Sequence, residues 1–229
     1  MSDPKTIVIL AAGEFPRRES VLRLLGEADM LICCDSAAQL LIEWGGREPD
    51  LIVGDMDSLP EQLQERYADR LRHFAGQEDN DLTKALHCAL GLIEAGYRPD
   101  CRPCPGFCIH ILGATGRRED HTLGNISLLC DYARELSGYD CTLDMVSDWG
   151  RFVAACGQQT FESVPGQEVS IFAFDAALRM SATGLKYPLD GVVFDSLWKA
   201  SLNVATGSSF TLIPSSDSPY LVYFCNPGL

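Results

Sequence analysis

Pro49-Asp50-Leu51-Ile52-Val53-Gly54-Asp55-Met56-Asp57-Ser58 runs a short apolar segment into a glycine and two carboxylates. A brief continuous apolar run bounded by turn residues reads as a strand buried on both faces, the kind found in a parallel sheet covered by helices. In an extended chain residues i and i+2 point the same way, so Asp55 and Asp57 are expected to converge at the carboxyl end of that strand. Two convergent hard-oxygen ligands suit Mg²⁺, which binds few carboxylates together with water and substrate phosphates. A second reading stands beside this one, a polar turn in which Asp57 and Ser58 cap the next helix.

The pattern repeats on both sides of this stretch. Strands are expected at Thr6–Leu10, Met30–Cys34, Leu51–Val53, Arg70–Phe74, His110–Gly113 and Thr142–Val146, with helices at Glu19–Gly26, Ala37–Trp44, Pro60–Tyr67, Leu82–Ala95 and Thr122–Leu136. Strands alternating with helices predict an α/β domain with a mainly parallel sheet over 1–150, whose ligands bind beyond the carboxyl ends of the strands. After Gly150 the chain changes to short alternating segments at Thr160–Val164, Val169–Phe174, Leu178–Ala182, Leu197–Val204, Phe210–Pro214 and Tyr220–Phe224. These predict a small all-β domain over 151–229. A sandwich this small leaves edges and apolar faces that a homodimer would cover.

Composition narrows the functions. A formal charge of −14 argues against a nucleic-acid binder, which needs Lys and Arg to neutralise phosphates, so any polyphosphate ligand requires metal cations. No apolar run is long enough to cross a membrane and the N-terminus lacks an export signal, which predicts a cytoplasmic protein. The ten cysteines then read as reduced thiols. Cys101, Cys104 and Cys108 have metal-ligand spacing, but no second Cys/His pair completes a tetrahedral site, and the surrounding prolines read as a loop.

Two further segments follow expected strands. Gln77-Glu78-Asp79-Asn80-Asp81-Leu82-Thr83-Lys84 places Asp81 as an N-cap with Thr83 and Lys84 in the first turn. A lysine at the positive end of a helix dipole suggests that an anion binds there. Gly113-Ala114-Thr115-Gly116-Arg117-Arg118-Glu119-Asp120-His121 joins a strand to a helix through a glycine-containing loop whose N–H groups can cradle phosphate, with Arg118 as a forked donor. Asp120 also reads as a helix cap and His121 as a packing residue. Neither a complete Gly-x4-Gly-Lys-Ser/Thr loop nor a dinucleotide glycine fingerprint is present.

In order and spacing these motifs resemble the thiamine pyrophosphokinase family. The family's Asp-Gln-Asp-x-Thr-Asp-x-Thr-Lys run appears with Glu78 and Asn80 as departures, and its Gly-Gly-Arg-x-Asp-His segment appears with Arg117 in place of a glycine. Cys33-Cys34-Asp35-Ser36-Ala37-Ala38-Gln39 matches a family segment without its glycines. Thr183-Gly184-Leu185-Lys186-Tyr187-Pro188-Leu189 and Ser201-Leu202-Asn203 match C-terminal motifs. The resemblance implies a Rossmann-like catalytic domain, a thiamine-binding β-sandwich, and a homodimer whose active clefts are shared between subunits. It also implies transfer of a pyrophosphoryl group from ATP to thiamine.

For that activity Asp55, Asp57 and Asp81 are the expected metal ligands and, with Asp120, the catalytic residues. ATP contacts are expected from Asp35, Ser58, Gln77, Glu78, Thr83, Lys84 and Arg118, the last two offsetting phosphate charge. Asp120 or a metal-site aspartate would accept the alcohol's proton. Tyr187 and Trp198 offer faces for a cationic thiazolium, and Ser201 and Asn203 offer hydrogen bonds to a pyrimidine, although core packing also accounts for Trp198 and a cross-strand or turn role for Ser201 and Asn203. Two rivals use the same residues, a metal-dependent phosphohydrolase and a non-catalytic nucleotide or thiamine sensor.

Overall fold

The computed structural model describes residues 5–76, 78–96 and 106–225. Gln77, Cys101 and Cys104 lie outside the described residues. Contacts divide the chain into two compact units, one running to Asn125 and including Asp140–Leu143, the other comprising Ile126–Tyr139 and the chain from Asp144 onward.

In the first unit the strands are β1 (Lys5–Leu10), β2 (Met30–Cys34), β3 (Leu51–Gly54), β4 (Leu71–His73) and β5 (Phe107–Leu112), in spatial order β5-β1-β2-β3-β4. Every resolved pairing among them is parallel. Ile7, Val8, Ile9 and Leu10 are all fully buried, as a strand covered on both faces requires. The helices are α1 (Glu19–Glu27), α2 (Ala37–Trp44), α3 (Glu61–Arg66), α4 (Asp81–Glu94) and α5 (Glu119–Glu135). α1 buries Val21 and Leu25, one turn apart on one face. α2 ends on Gly45, whose φ of 77° lets its N–H reach the Leu41 carbonyl. Asn80, rather than Asp81, caps α4 by accepting the Thr83 N–H at 2.9 Å, and Asp81 becomes the first helical residue.

The second unit contains two antiparallel layers. β6 (Cys141–Ser147) pairs with β7 (Gly150–Ala155), and β9 (Glu168–Ala173), β11 (Asn203–Val204) and β13 (Tyr220–Cys225) complete that layer in the order β11-β9-β13-β7-β6. β8 (Gln159–Glu162), β10 (Met180–Thr183) and β12 (Ser209–Pro214) form the other in the order β10-β12-β8. Their facing side chains make one core in which Val169, Ile171 and Ala173 of β9 alternate inward and the rings of Phe161 and Phe210 stack at 5.3 Å.

Two elements depart from expectation. β7 is an additional strand, and of the expected Leu197–Val204 strand only Asn203–Val204 is extended. Leu202 takes a left-handed φ of 58°, and turn bonds from Lys199 N to Ser196 O and from Ser201 N to Trp198 O hold the preceding residues in turns. Among the described residues no helix is long and apolar enough to cross a membrane.

Candidate functional site

Loops leaving β1, β2, β3 and β5, together with the start of α4, line a cavity of about 390 Å³ in the first unit. This is the carboxyl edge of a parallel sheet, where neighbouring loops meet. β2 and β3 lie side by side with Cys34 opposite Val53, so Asp35, which follows β2, and Gly54, the last residue of β3, emerge together. The Asp35 N–H donates to the Val53 carbonyl at 2.9 Å. A side chain on Gly54 would approach the Asp35 Cβ to 3.0 Å, so the glycine permits this close passage.

One carboxylate oxygen from each of Asp35, Asp55 and Asp57 falls within 4.8 Å of the others. Asp55 and Asp57 do not meet by extended alternation, because β3 ends at Gly54 and Met56 adopts a left-handed φ of 65°. A turn brings them together. The Asp57 N–H donates to Asp55 Oδ1 at 3.3 Å and the Ser58 hydroxyl to Asp57 Oδ1 at 2.8 Å. Asp35 is 5% exposed; its Oδ2 accepts the Ser58 N–H at 3.2 Å, while its buried Oδ1 has no hydrogen-bond partner. Burial pushes its pKa up and the charges of Asp81 and Asp57 push the same way, against the hydrogen bonds from Ser58. Hard-oxygen donors around an unsatisfied buried carboxylate oxygen fit a divalent cation.

Asp81 stands apart from this trio: its Oδ1 accepts the Lys84 ammonium at 3.0 Å and its carbonyl accepts the Cys34 thiol at 3.6 Å. Lys84 is buried, and it is Asp81, not Lys84, that lies on the cavity wall. The Thr83 N–H is taken up by the α4 cap, and Glu78 is exposed and off the wall.

The β5–α5 loop turns on left-handed glycines at Gly113 and Gly116, and Thr115, Arg117, Arg118 and His121 reach the cavity. Arg118 grips Asp120 with both prongs, Nε to Oδ1 at 3.1 Å and Nη2 to Oδ2 at 2.5 Å. That fork, helped by the His121 N–H, lowers the Asp120 pKa to about 2, which makes it a weak proton acceptor and a firm orienter of Arg118.

The adjoining part of the wall is the loop after β1, which the sequence reading missed. It pairs with the β5–α5 loop through Gly13 N to Gly113 O at 2.6 Å and Glu14 N to Thr115 O at 2.7 Å, while Asn125 Nδ2 holds the Ala114 carbonyl at 2.9 Å. Its signal was Ala11-Ala12-Gly13, small residues directly after an apolar strand.

The remaining expected residues belong to the second unit. Tyr187 is 52% exposed with the Lys186 ammonium 5.3 Å from its ring centre, and Trp198 is 71% exposed. Ser201 donates its hydroxyl to the Trp198 carbonyl at 2.6 Å. Asn203 is buried: Oδ1 accepts the N–H groups of Tyr187 and Val204, and Nδ2 donates to the Tyr187 carbonyl, leaving one N–H to spare. Asn203 thus fixes the backbone that presents Tyr187. Of the suspected cysteine cluster, only Cys108 is described, as a free thiol in β5.

Family models match in two blocks, "Thiamin pyrophosphokinase, catalytic domain" over residues 21–138 and "Thiamin pyrophosphokinase, substrate-binding domain" over 150–223. A curated relative, thiamine pyrophosphokinase 3 of Oryza sativa subsp. japonica, is 29% identical over 122 residues, 47% of this chain and 45% of the relative, so the match spans less than half of that protein's length. Among solved structures, thiamin pyrophosphokinase from Candida albicans aligns with a TM-score of 0.75 at 17% identity over 97% of this chain and 89% of that one. The enzyme from Geobacillus thermodenitrificans aligns with a TM-score of 0.72 at 24% identity over 97% and 98%. These likenesses show the shared fold.

Proposed function

Because the chain belongs to the thiamin pyrophosphokinase family, we propose that it transfers the pyrophosphoryl group of ATP to the hydroxyethyl oxygen of thiamine, giving thiamine diphosphate and AMP. The observation that carries the reading is the Asp35, Asp55 and Asp57 cluster, whose buried member Asp35 lies on the cavity wall with one oxygen left unsatisfied. These three carboxylates would hold Mg²⁺, with Asp81 close enough to add to the negative field around Asp35. Bound there, the ion supplies the positive charge without which four aspartates would repel a triphosphate, and it polarises phosphoryl oxygens.

The chain's own groups do the rest. Arg118, oriented by Asp120, donates to phosphate oxygens as negative charge shifts during transfer. Lys84 acts one step back, holding Asp81 in place. The hydroxyl oxygen of thiamine attacks the β-phosphorus; the bond from that phosphorus to the oxygen bridging to the α-phosphate breaks, and AMP leaves with that oxygen. The alcohol proton passes to a carboxylate of the cluster, of which Asp57 is the exposed member.

Residues 1–150 are assigned the nucleotide and metal, and 151–229 thiamine, with Tyr187 and Trp198 as aromatic faces for the thiazolium cation. A homodimer with shared clefts is part of the reading, supported by the large apolar side chains that Tyr187, Trp198 and Leu202 expose on the second unit. The cytoplasm, with its ATP and reducing conditions, suits a chain whose described cysteines are free. One incubation with ATP, Mg²⁺ and thiamine, analysed by mass spectrometry, tests the proposal. Thiamine diphosphate and AMP in equal amounts are expected, and ATP cleavage that ignores thiamine would sink it.

A further inference from the structure

Two cationic side chains reach the cavity, Arg117 and Arg118, and their charges are handled differently. Arg118 is answered by Asp120 in a two-pronged pair. Arg117 has no acidic partner among the described residues; its one hydrogen bond runs from Nη1 to the neutral Ala12 carbonyl at 3.1 Å. That bond crosses from the β5–α5 loop to the loop after β1, so the guanidinium is anchored on the wall with most of its five donors unused. Arg117 is solvent-exposed, and a guanidinium held on a cavity wall with no carboxylate beside it is suited to an anionic ligand.

We infer that Arg117 binds a phosphate oxygen of the nucleoside triphosphate, as a second arginine beside Arg118, while its Ala12 bond keeps the two loops together. The inference rests on the nucleotide reading of this cavity. It assigns Arg117 two functions that chemistry can separate, since a neutral donor can keep the carbonyl bond but cannot replace the charge.

The experiment compares the wild-type full-length chain, R117Q and R117K, measuring ATP affinity with Mg²⁺ by calorimetry and thiamine KM in steady state. R117Q is expected to bind ATP about tenfold more weakly and R117K to recover to within about threefold, with thiamine KM within about twofold of wild type throughout. Raising the salt concentration should weaken wild type more than R117Q. Wild-type ATP affinity in R117Q, an R117K as weak as R117Q, or an equal loss of thiamine affinity overturns the inference. A wild-type chain that binds no ATP overturns the nucleotide reading itself, and this inference with it.

Discussion

A carboxyl group that is 5% exposed, lies in the field of Asp57 and Asp81 and has one oxygen without a partner is costly to keep ionised. Asp35→Asn removes that cost and keeps an acceptor for the Ser58 N–H, and asparagine tolerates the left-handed φ of 40° found there. Without metal its melting temperature should rise by about 2–4 °C, the shift for roughly 1 kcal/mol in a chain of this size. The increase that millimolar Mg²⁺ gives wild type should vanish, and a variant that keeps the full Mg²⁺ shift removes Asp35 from the cation site. Asn203 makes the opposite case. Asn203→Ala strands the Tyr187 N–H and C=O and the Val204 N–H in a buried setting, and about 2–3 kcal/mol of stability should be lost. Denaturant unfolding measures it, and an unchanged midpoint would show that these groups find other partners. Asp55 and Asp57 were legible because they are neighbours in sequence. In sequence Asp35 reads only as a nucleotide contact, because its place beside them depends on the parallel register of β2 and β3, which pairs Cys34 with Val53 across a long stretch of chain.

Elements carry the site through how they end. The loop after β1 continues the β1–β5 pairing past the strands, and a Cβ on Gly13 would meet Gly113 O at 2.3 Å and Thr115 O at 2.5 Å. Gly13→Ala should therefore part the two loops and weaken ATP binding by about tenfold or more while the buried strands hold the fold. Calorimetry with ATP and circular dichroism together check this, and normal affinity would show that the loop pairing is dispensable. β2 and α2 were legible to the residue, because five buried positions in a row and an apolar stripe ending on Gly45 leave little latitude. β7 was not, since Gly150 reads as a break in sequence although it opens a strand, with its Cβ position filled by Phe224 O and Tyr223. Residues 197–202 mislead in the opposite sense: Leu197 and Trp198 read as strand, whereas Ser196 and Trp198 carbonyls close turns and leave both side chains exposed.

For the whole molecule, the proposed division of labour between nucleotide and thiamine segments predicts complementation between chains. Asp55→Asn and Trp198→Ala should each be nearly inactive alone, the first for want of a metal ligand and the second for want of an aromatic face. In an equal mixture of subunits that exchange, about half the chains form heterodimers with one lesion-free cleft, so activity should return to roughly a quarter of wild type. Mixtures that exchange yet stay inactive would place both lesions in the same cleft. The tryptophans offer a way to watch such pairing. Of the three in the chain, Trp44 packs against Phe15 in the first unit, whereas Trp149 and Trp198 are each 71% exposed in the second. Intrinsic fluorescence is therefore mostly a signal from water-exposed indoles of the second unit. Dilution through a dissociation range should redden and dim it, and thiamine added to the assembled protein should quench it, without any label attached.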